Sequence, residues 1–305
     1  MLFVTYRSVF YAITGMIVFG ALLAVVLFGL RPSIDFTGGA LLQVSYEGVA
    51  PSREEIVDRV STIPLGNISV RESGEGTFII RTRDITLEEK NAILSVIGSP
   101  EYVVTEDRFT GVGPSLGSEL IRKAAVALLF ATLGIMAYVA YTFRRVSKPV
   151  SSLVYGAIVI VILFHDVLIA VGFYALLGAF TSAEVDPLFI VALLAIIGYS
   201  VNDTIIVFDR VRERLSRNAE KEIHEPFENT VGTALEETYM RSLNTSGTTA
   251  LALLALFFFG ASATENFALT LLVGVVAGTY SSIFLAAPLL ATYEKHIARK
   301  KKKQT

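Results

Sequence analysis

Asp203 is a carboxylic acid set inside an apolar helix of membrane length, Gly198-Tyr199-Ser200-Val201-Asn202-Asp203-Thr204-Ile205-Ile206-Val207-Phe208-Asp209-Arg210. An Asp at the centre of a membrane helix costs roughly 2.5 to 3.5 kcal/mol, so such residues face a bundle interior, pair with a cation or carry protons. Arg241, at the start of a later apolar run, supplies a cation. If successive spans alternate in direction, it enters from the same face as Asp203, which lies about 9 Å inside the exit marked by Asp209. The two side chains could therefore meet at similar depth. One chemistry is a static ion pair that fixes helix order. The other is a proton site whose acid alternates between a paired and a protonated state. A proton crossing the membrane makes about 2.3 kcal/mol available per 100 mV.

Three further residues are secondary candidates for the same proton-coupling site. Asp166, after His165, is a second intramembrane acid that could instead cap or orient a neighbouring helix. Asn202 and Asn244 flank the pair. Arg241, Asn244, Thr245, Thr248 and Thr249 follow helical spacing and are read as one polar stripe, matched by Ser200, Asp203, Thr204 and Val207 on the preceding span. Ser200, Asn202 and Thr204 would suit sodium as well as a hydrogen-bond network. Thr270, Gly274, Gly278 and Ser282 form a small-residue seam in the last span. There are only three histidines, without metal-like spacing, and no cysteine, so disulfides and thiolate metal sites are excluded. No soluble cofactor is implied.

The elements that carry these residues follow from composition. With 53% hydrophobic and 18% charged residues in 305, the chain reads as an integral membrane protein. Six spans are long enough to cross about 30 Å of hydrocarbon: Ser8 to Leu30, Arg122 to Phe143, Val150 to Leu177, Pro187 to Phe208, Leu243 to Phe259 and Phe267 to Tyr293. The first is too long for a signal peptide and lacks a small-x-small cleavage site, so it is read as an uncleaved anchor. Lys and Arg mark the connections between spans two and three (Arg144, Arg145, Lys148) and four and five (Arg210, Arg212, Arg214, Arg217). They also mark the tail, at Lys295, Arg299 and Lys300 to Lys303. Thr181 to Asp186 and Gly260 to Asn266 carry none. Both termini are therefore expected to be cytoplasmic, with the basic tail a topology anchor that would also suit anionic lipids or the ribosome.

The division expected is residues 1–30 as the first span, 31–121 as an extracytoplasmic domain, 122–293 as five spans and 294–305 as the tail. In residues 31–121, Leu42, Val44 and Tyr46 alternate with polar residues as a half-buried strand does. Ser52-Arg53-Glu54-Glu55 and Thr86-Leu87-Glu88-Glu89 read as helix starts. They precede Ile56, Val60 and Ile63, and Ile93, Leu94 and Ile97. Ser73-Gly74-Glu75-Gly76 separates two short strands, and a last strand surrounds Tyr102 to Thr105. The order βαββαβ predicts a ferredoxin-like α+β domain without catalytic residues. Glycine-rich segments at Ser33 to Gly39 and Gly111 to Leu120 are read as tight turns at the membrane surface. Neither has a phosphate-loop spacing.

Ile34-Asp35-Phe36-Thr37-Gly38-Gly39, Val112-Gly113-Pro114-Ser115-Leu116-Gly117, His165-Asp166, the Gly198 to Asp209-Arg210 segment and Arg241-Ser242-Leu243-Asn244-Thr245-Ser246 occur in an order that resembles the SecF family across nearly the whole chain. Ser33 departs from the glycine usual there, which concerns only local loop geometry. The resemblance implies half of a resistance-nodulation-division transporter and no enzymatic activity. It implies SecD as the other half, and SecYEG, YidC, unfolded preproteins and membrane lipids as partners, with no nucleic acid. It also implies an inner-membrane location and use of the proton motive force through the positions matching Asp203 and Arg241. Three other classes fit parts of the pattern. A passive translocon scaffold would tolerate charge-neutral substitutions. An intramembrane aspartyl protease would use Asp166 and Asp203 but lacks the Gly-x-Gly-Asp pattern. A solitary small-molecule pump would need twice this architecture.

Overall fold

A computed structural model describes residues 2–66, 68–144, 149–181 and 183–302. The chain divides into two compact units: residues up to Arg31 together with those from Ala127 onward, and Pro32–Val126. Arg145, Lys148 and Lys303, invoked above for orientation, lie outside the described residues.

The Pro32–Val126 unit starts with a single helical turn, α3 (Ile34–Thr37), which follows α1 (Leu2–Thr5) and α2 (Arg7–Phe28) in the chain. It continues as β1 (Gly39–Glu47), α4 (Arg53–Val60), β2 (Ser69–Glu72), β3 (Thr77–Thr82), α5 (Leu87–Ile97) and β4 (Val103–Val112). The sheet is antiparallel in the order β2-β3-β1-β4, the ferredoxin-like arrangement. Leu42, Val44, Ile56, Val60, Ile80, Ile93 and Ile97 are buried in one core. The helix starts are set by side-chain caps. Ser52 Oγ accepts from the Glu55 amide, and Thr86 and Glu89 form a reciprocal capping box. The last strand runs to Val112, well beyond the Tyr102 to Thr105 segment expected, because β1 offers it a partner along its whole length.

The second glycine-rich segment is not only a turn. Pro114 begins α6 (Pro114–Thr142), so Pro114 to Leu120 is helical. Both segments need glycine for close approach, and the first needs it for φ as well. Gly38 and Gly39 have φ of +73° and +125°, and a β-carbon on Gly39 would lie 2.6 Å from the Thr82 carbonyl oxygen. One on Gly117 would lie 2.6 Å from the Phe36 carbonyl oxygen. The two segments thus pack backbone against backbone.

The other unit contains α7 (Ser152–Phe180), α8 (Pro187–Glu220), α9 (Phe227–Phe259), α10 (Ser262–Ser281), a π-helical turn (Ser282–Ala286) and α11 (Ala287–Lys302). With α2 and α6, and with α10 to α11 taken as one span, six helices among the described residues are long and apolar enough to cross a membrane. Several overrun the expected limits. The span around Asp203 continues to Glu220 and the next begins at Phe227, both stiffened beyond the apolar core by ion pairs. Arg210 meets Glu213 and Glu237, Arg214 meets Glu237, and Arg217 meets Glu213. Pro187 opens α8 at its first turn, where Asp186 accepts from the Phe189 amide at 2.8 Å. α7 and α8 supply much of the buried interior, whereas α2 and α6 leave most side chains uncovered. Small residues set the closest approaches: Gly172 of α7 against Ala21 of α2, and Gly274 and Gly278 of α10 against Ile196 and Ser200 of α8.

Gly117→Ala is expected to destabilise the Pro32–Val126 unit by about 1 to 3 kcal/mol through overpacking. Gly113→Ala, whose added carbon meets nothing nearer than Asp84 Oδ2 at 4.0 Å, should stay within about 0.5 kcal/mol of the parent. Amide hydrogen exchange across β1 to β4 in the detergent-purified chain measures the difference, and equal protection in the two variants would contradict the close-approach account.

Candidate functional site

α8 carries Ser200, Asp203, Thr204 and Val207 on one buried face, as their spacing predicts. Asp203 is 1% exposed and its Oδ2 has no hydrogen-bond partner. Its other neighbour is the Ser246 hydroxyl of α9. Ser246 Oγ accepts from Tyr199 Oη of α8 at 2.9 Å and from Thr279 Oγ1 of α10. When both donate to it, its own proton is free for a further acceptor. Three helices thus meet around one acid through small hydroxyls.

Arg241 does not close onto Asp203. It lines a cavity of about 300 Å³ with Asp209, Arg210, Glu213, Glu237 and Thr238, where the ion pairs between α8 and α9 cluster.

The polar stripe of α9 also faces elsewhere than expected. Arg241, Asn244, Thr245 and Thr248 are exposed and Thr249 is half-buried, while Ser242 and Ser246 are buried. Serine is the smaller residue, so the Ser242–Ser246 edge lets α9 approach α8 and α10 closely. The threonines satisfy themselves: Thr245 donates to the Arg241 carbonyl at 2.9 Å, and Thr248 and Thr249 donate to the Thr245 carbonyl at 2.8 and 3.0 Å. Asn202 is exposed on α8 and does not join the Asp203 cluster. Of the five candidate residues, Asp203 and Asp166 are in the bundle interior, and Arg241, Asn202 and Asn244 are on an uncovered polar face.

Asp166 is fully buried. His165 Nδ1 donates to its Oδ1 at 2.7 Å, and Oδ2 accepts from Ser200 Oγ of α8 and, at 2.9 Å, from Ser281 Oγ of α10. Every carboxylate oxygen is therefore engaged, in contrast to Asp203. His165 Nε2 is buried without a partner, and Tyr280 lies against the ring, centroids 6.4 Å apart.

Ser242, Ser246, Thr279 and Ser281 are not among the sequence candidates, and their signal in the sequence is slight: the i, i+4 pair Ser242 and Ser246, and the placement of Thr279 and Ser281 beside the Gly278 seam. Among the described residues, no three His, Asp or Glu side chains are grouped to hold a metal ion.

Residues 100–296 match the family model described as protein export membrane protein SecD/SecF, C-terminal, and residues 24–48 match the SecD/SecF GG motif. The chain is 38% identical over 304 residues to the protein translocase subunit SecF of Thermobaculum terrenum, covering 95% of this chain and 93% of that one. It is 37% identical to the Synechocystis protein translocase subunit SecF, over 87% and 83% of the two chains. It matches the Bacillus subtilis protein translocase subunit SecDF at 32% identity, over 94% of this chain and 37% of that longer one. The crystal structure of SecDF from Thermus, a translocon-associated membrane protein, superposes with a TM-score of 0.80 at 30% identity, over 97% of this chain and 39% of that one. Six apolar spans with a ferredoxin-like domain after the first, and family matches along nearly the whole length, lead to one conclusion: the chain belongs to the SecF family of SecD/SecF protein-export membrane proteins.

Proposed function

We propose that this chain is the SecF half of a SecD/SecF complex that uses the proton motive force to assist preprotein passage through, and release from, the SecYEG channel. The observation that carries the reading is Asp203: a carboxylate buried in the interior of a membrane bundle with one oxygen unpartnered. An acid left half-satisfied among apolar helices is costly, and a proton that comes and goes gives that cost a use. Arg241, uncovered beside the cavity, would favour the ionised state when the partner half brings it closer or dries its surroundings. Rearrangement at Asp203 would be transmitted to the external domains, which would draw the preprotein outward.

Support for SecD as the other half comes from the polar face of α8 and α9. Asn202, Arg241 and Asn244 are exposed on helices that otherwise read as membrane spans. Polar side chains at that depth are expected to face protein or a water-filled cavity rather than lipid. In the longer SecDF relatives, a SecF-like region forms only part of one chain. The orientation that fits has both termini cytoplasmic and residues 31–121 outside, with the Arg210 to Arg217 cluster on the cytoplasmic side.

The chain has no native cysteine, so single substitutions report cleanly. Asn244→Cys is expected to cross-link to cysteines placed in the membrane helices of SecD, whereas Val161→Cys, exposed on α7, is not. Cross-linking of Val161 but not Asn244 would put SecD on another face. In vesicles holding SecD, SecYEG and this chain, Asp203→Asn should reduce preprotein release to the level of native protein treated with a proton ionophore. Full ionophore-sensitive release from an assembled Asp203→Asn complex would turn the argument to a passive scaffold. Release driven equally by a sodium gradient alone would replace the proton as coupling ion.

A further inference from the structure

The two buried acids are joined twice. Along α8 they are linked by one helical turn, from Ser200, which donates to Asp166, to Asp203. Across the bundle they are linked by hydroxyls: Ser246 beside Asp203 accepts from Thr279, and Ser281, two residues further along α10, donates to Asp166. The result is a chain of contacts through α7, α8, α9 and α10.

Two members of the chain of contacts have a second position. A hydroxyl has one proton. Ser281 Oγ lies 2.9 Å from Asp166 Oδ2 and 3.1 Å from the Gly278 carbonyl oxygen. Thr279 Oγ1 contacts Ser246 Oγ and lies 2.8 Å from the Val275 carbonyl oxygen. Each can give its proton to a neighbouring helix or turn it back onto α10. The π-helical turn begins at Ser282, directly after them, and such turns interrupt the regular ladder at sites where helices adjust. Gly278 keeps the junction tight, since a β-carbon there would lie 3.2 Å from Ser200 Cβ and 3.6 Å from Asp166 Oδ2.

We propose that Asp166, oriented by His165, is a positioning residue for Asp203: its carboxylate pins α10 to α8 through Ser281 and Ser200, and so holds Thr279 and Ser246 against the proton-coupling acid. This inference rests on the proton-coupled reading above. While Asp166 is an acceptor on both oxygens, Ser281 points across the helices and α10 is docked. When that acceptor weakens, Ser281 turns to Gly278, α10 is freed at its π turn, and the hydroxyl environment of Asp203 changes with it. The titratable groups nearest Asp166 are His165 on α7, Tyr280 of α10 against the His165 ring, and Asp203 one turn beyond Ser200 on α8. Tyr280 is held by α2, donating to the Phe10 carbonyl at 3.2 Å.

The test uses the whole chain with SecD and SecYEG in vesicles and records proton-driven preprotein release as a function of pH. Ser281→Ala, which removes one donor with minimal change of volume, should shift the midpoint of that profile and lower release at the native optimum about tenfold, the scale of one lost hydrogen bond to a charged group. Asp166→Asn, which keeps the shape and loses the double acceptor, should shift it the same way. Profiles for assembled Ser281→Ala that superimpose on the native one would overturn the proposal, whether or not Asp166→Asn assembles. Asp203→Asn run alongside separates the two readings. If it retains proton-driven release, the proton-coupled function itself fails. If it loses that release while Ser281→Ala matches the native profile, only the positioning role fails.

Discussion

The membrane interior offers a polar group no water to fall back on, so every intramembrane acid must be satisfied by protein or remain costly. The two acids in the bundle represent the two outcomes. Asp166 accepts from a histidine and two serines and is closed on every side. Asp203, one turn of α8 below Ser200, keeps an oxygen without a partner. A fully satisfied carboxylate fixes helices. A half-satisfied one leaves a place for a proton, and it is this unequal treatment of two similar side chains on which the proposed division between support and coupling rests.

The rest of the membrane unit follows from bringing these acids within reach of short hydroxyls. Serine and threonine bridge helices only when the backbones approach closely. Gly274 and Gly278 let α10 lie against Ile196 and Ser200, and the Ser242–Ser246 edge turns α9 inward. Larger residues there would part the helices and leave the same hydroxyls to their own backbones, as Thr245, Thr248 and Thr249 already are on the outer face. The Pro32–Val126 unit solves a different problem by the same means, since Gly39 and Gly117 allow backbone to meet backbone. Its sheet needs no membrane logic: alternating apolar residues on β1 and β3 meet two capped helices over a single core.

The outward polar face is explained by incompleteness. A membrane bundle that ends in Asn202, Arg241 and Asn244 has not finished burying its polar groups. The SecDF relatives, in which a chain of this kind is less than half of the whole, supply the physical reason for such a face. Arg241 is set apart from Asp203 within this chain and lies on that exposed face.

The sequence by itself determined the class, the six spans and the βαββαβ order, because each is written in local signals: hydropathy over about 20 residues, a two-residue alternation, and Ser and Thr caps at the right offsets. It also marked Asp203 and Asp166, since an acid in an apolar run stands out without any fold. It did not determine which edge of α9 turns inward. Arg241, Asn244, Thr245 and Thr248 repeat at helical spacing, and so do Ser242 and Ser246 one residue on. Periodicity identifies a stripe but not its neighbour, and composition favours the more polar one. Only the tertiary structure chose, because close helix approach selects the smaller side chains. The same packing brought Thr279 and Ser281, more than 70 residues from Asp203 in the chain, into the neighbourhood of the two buried acids.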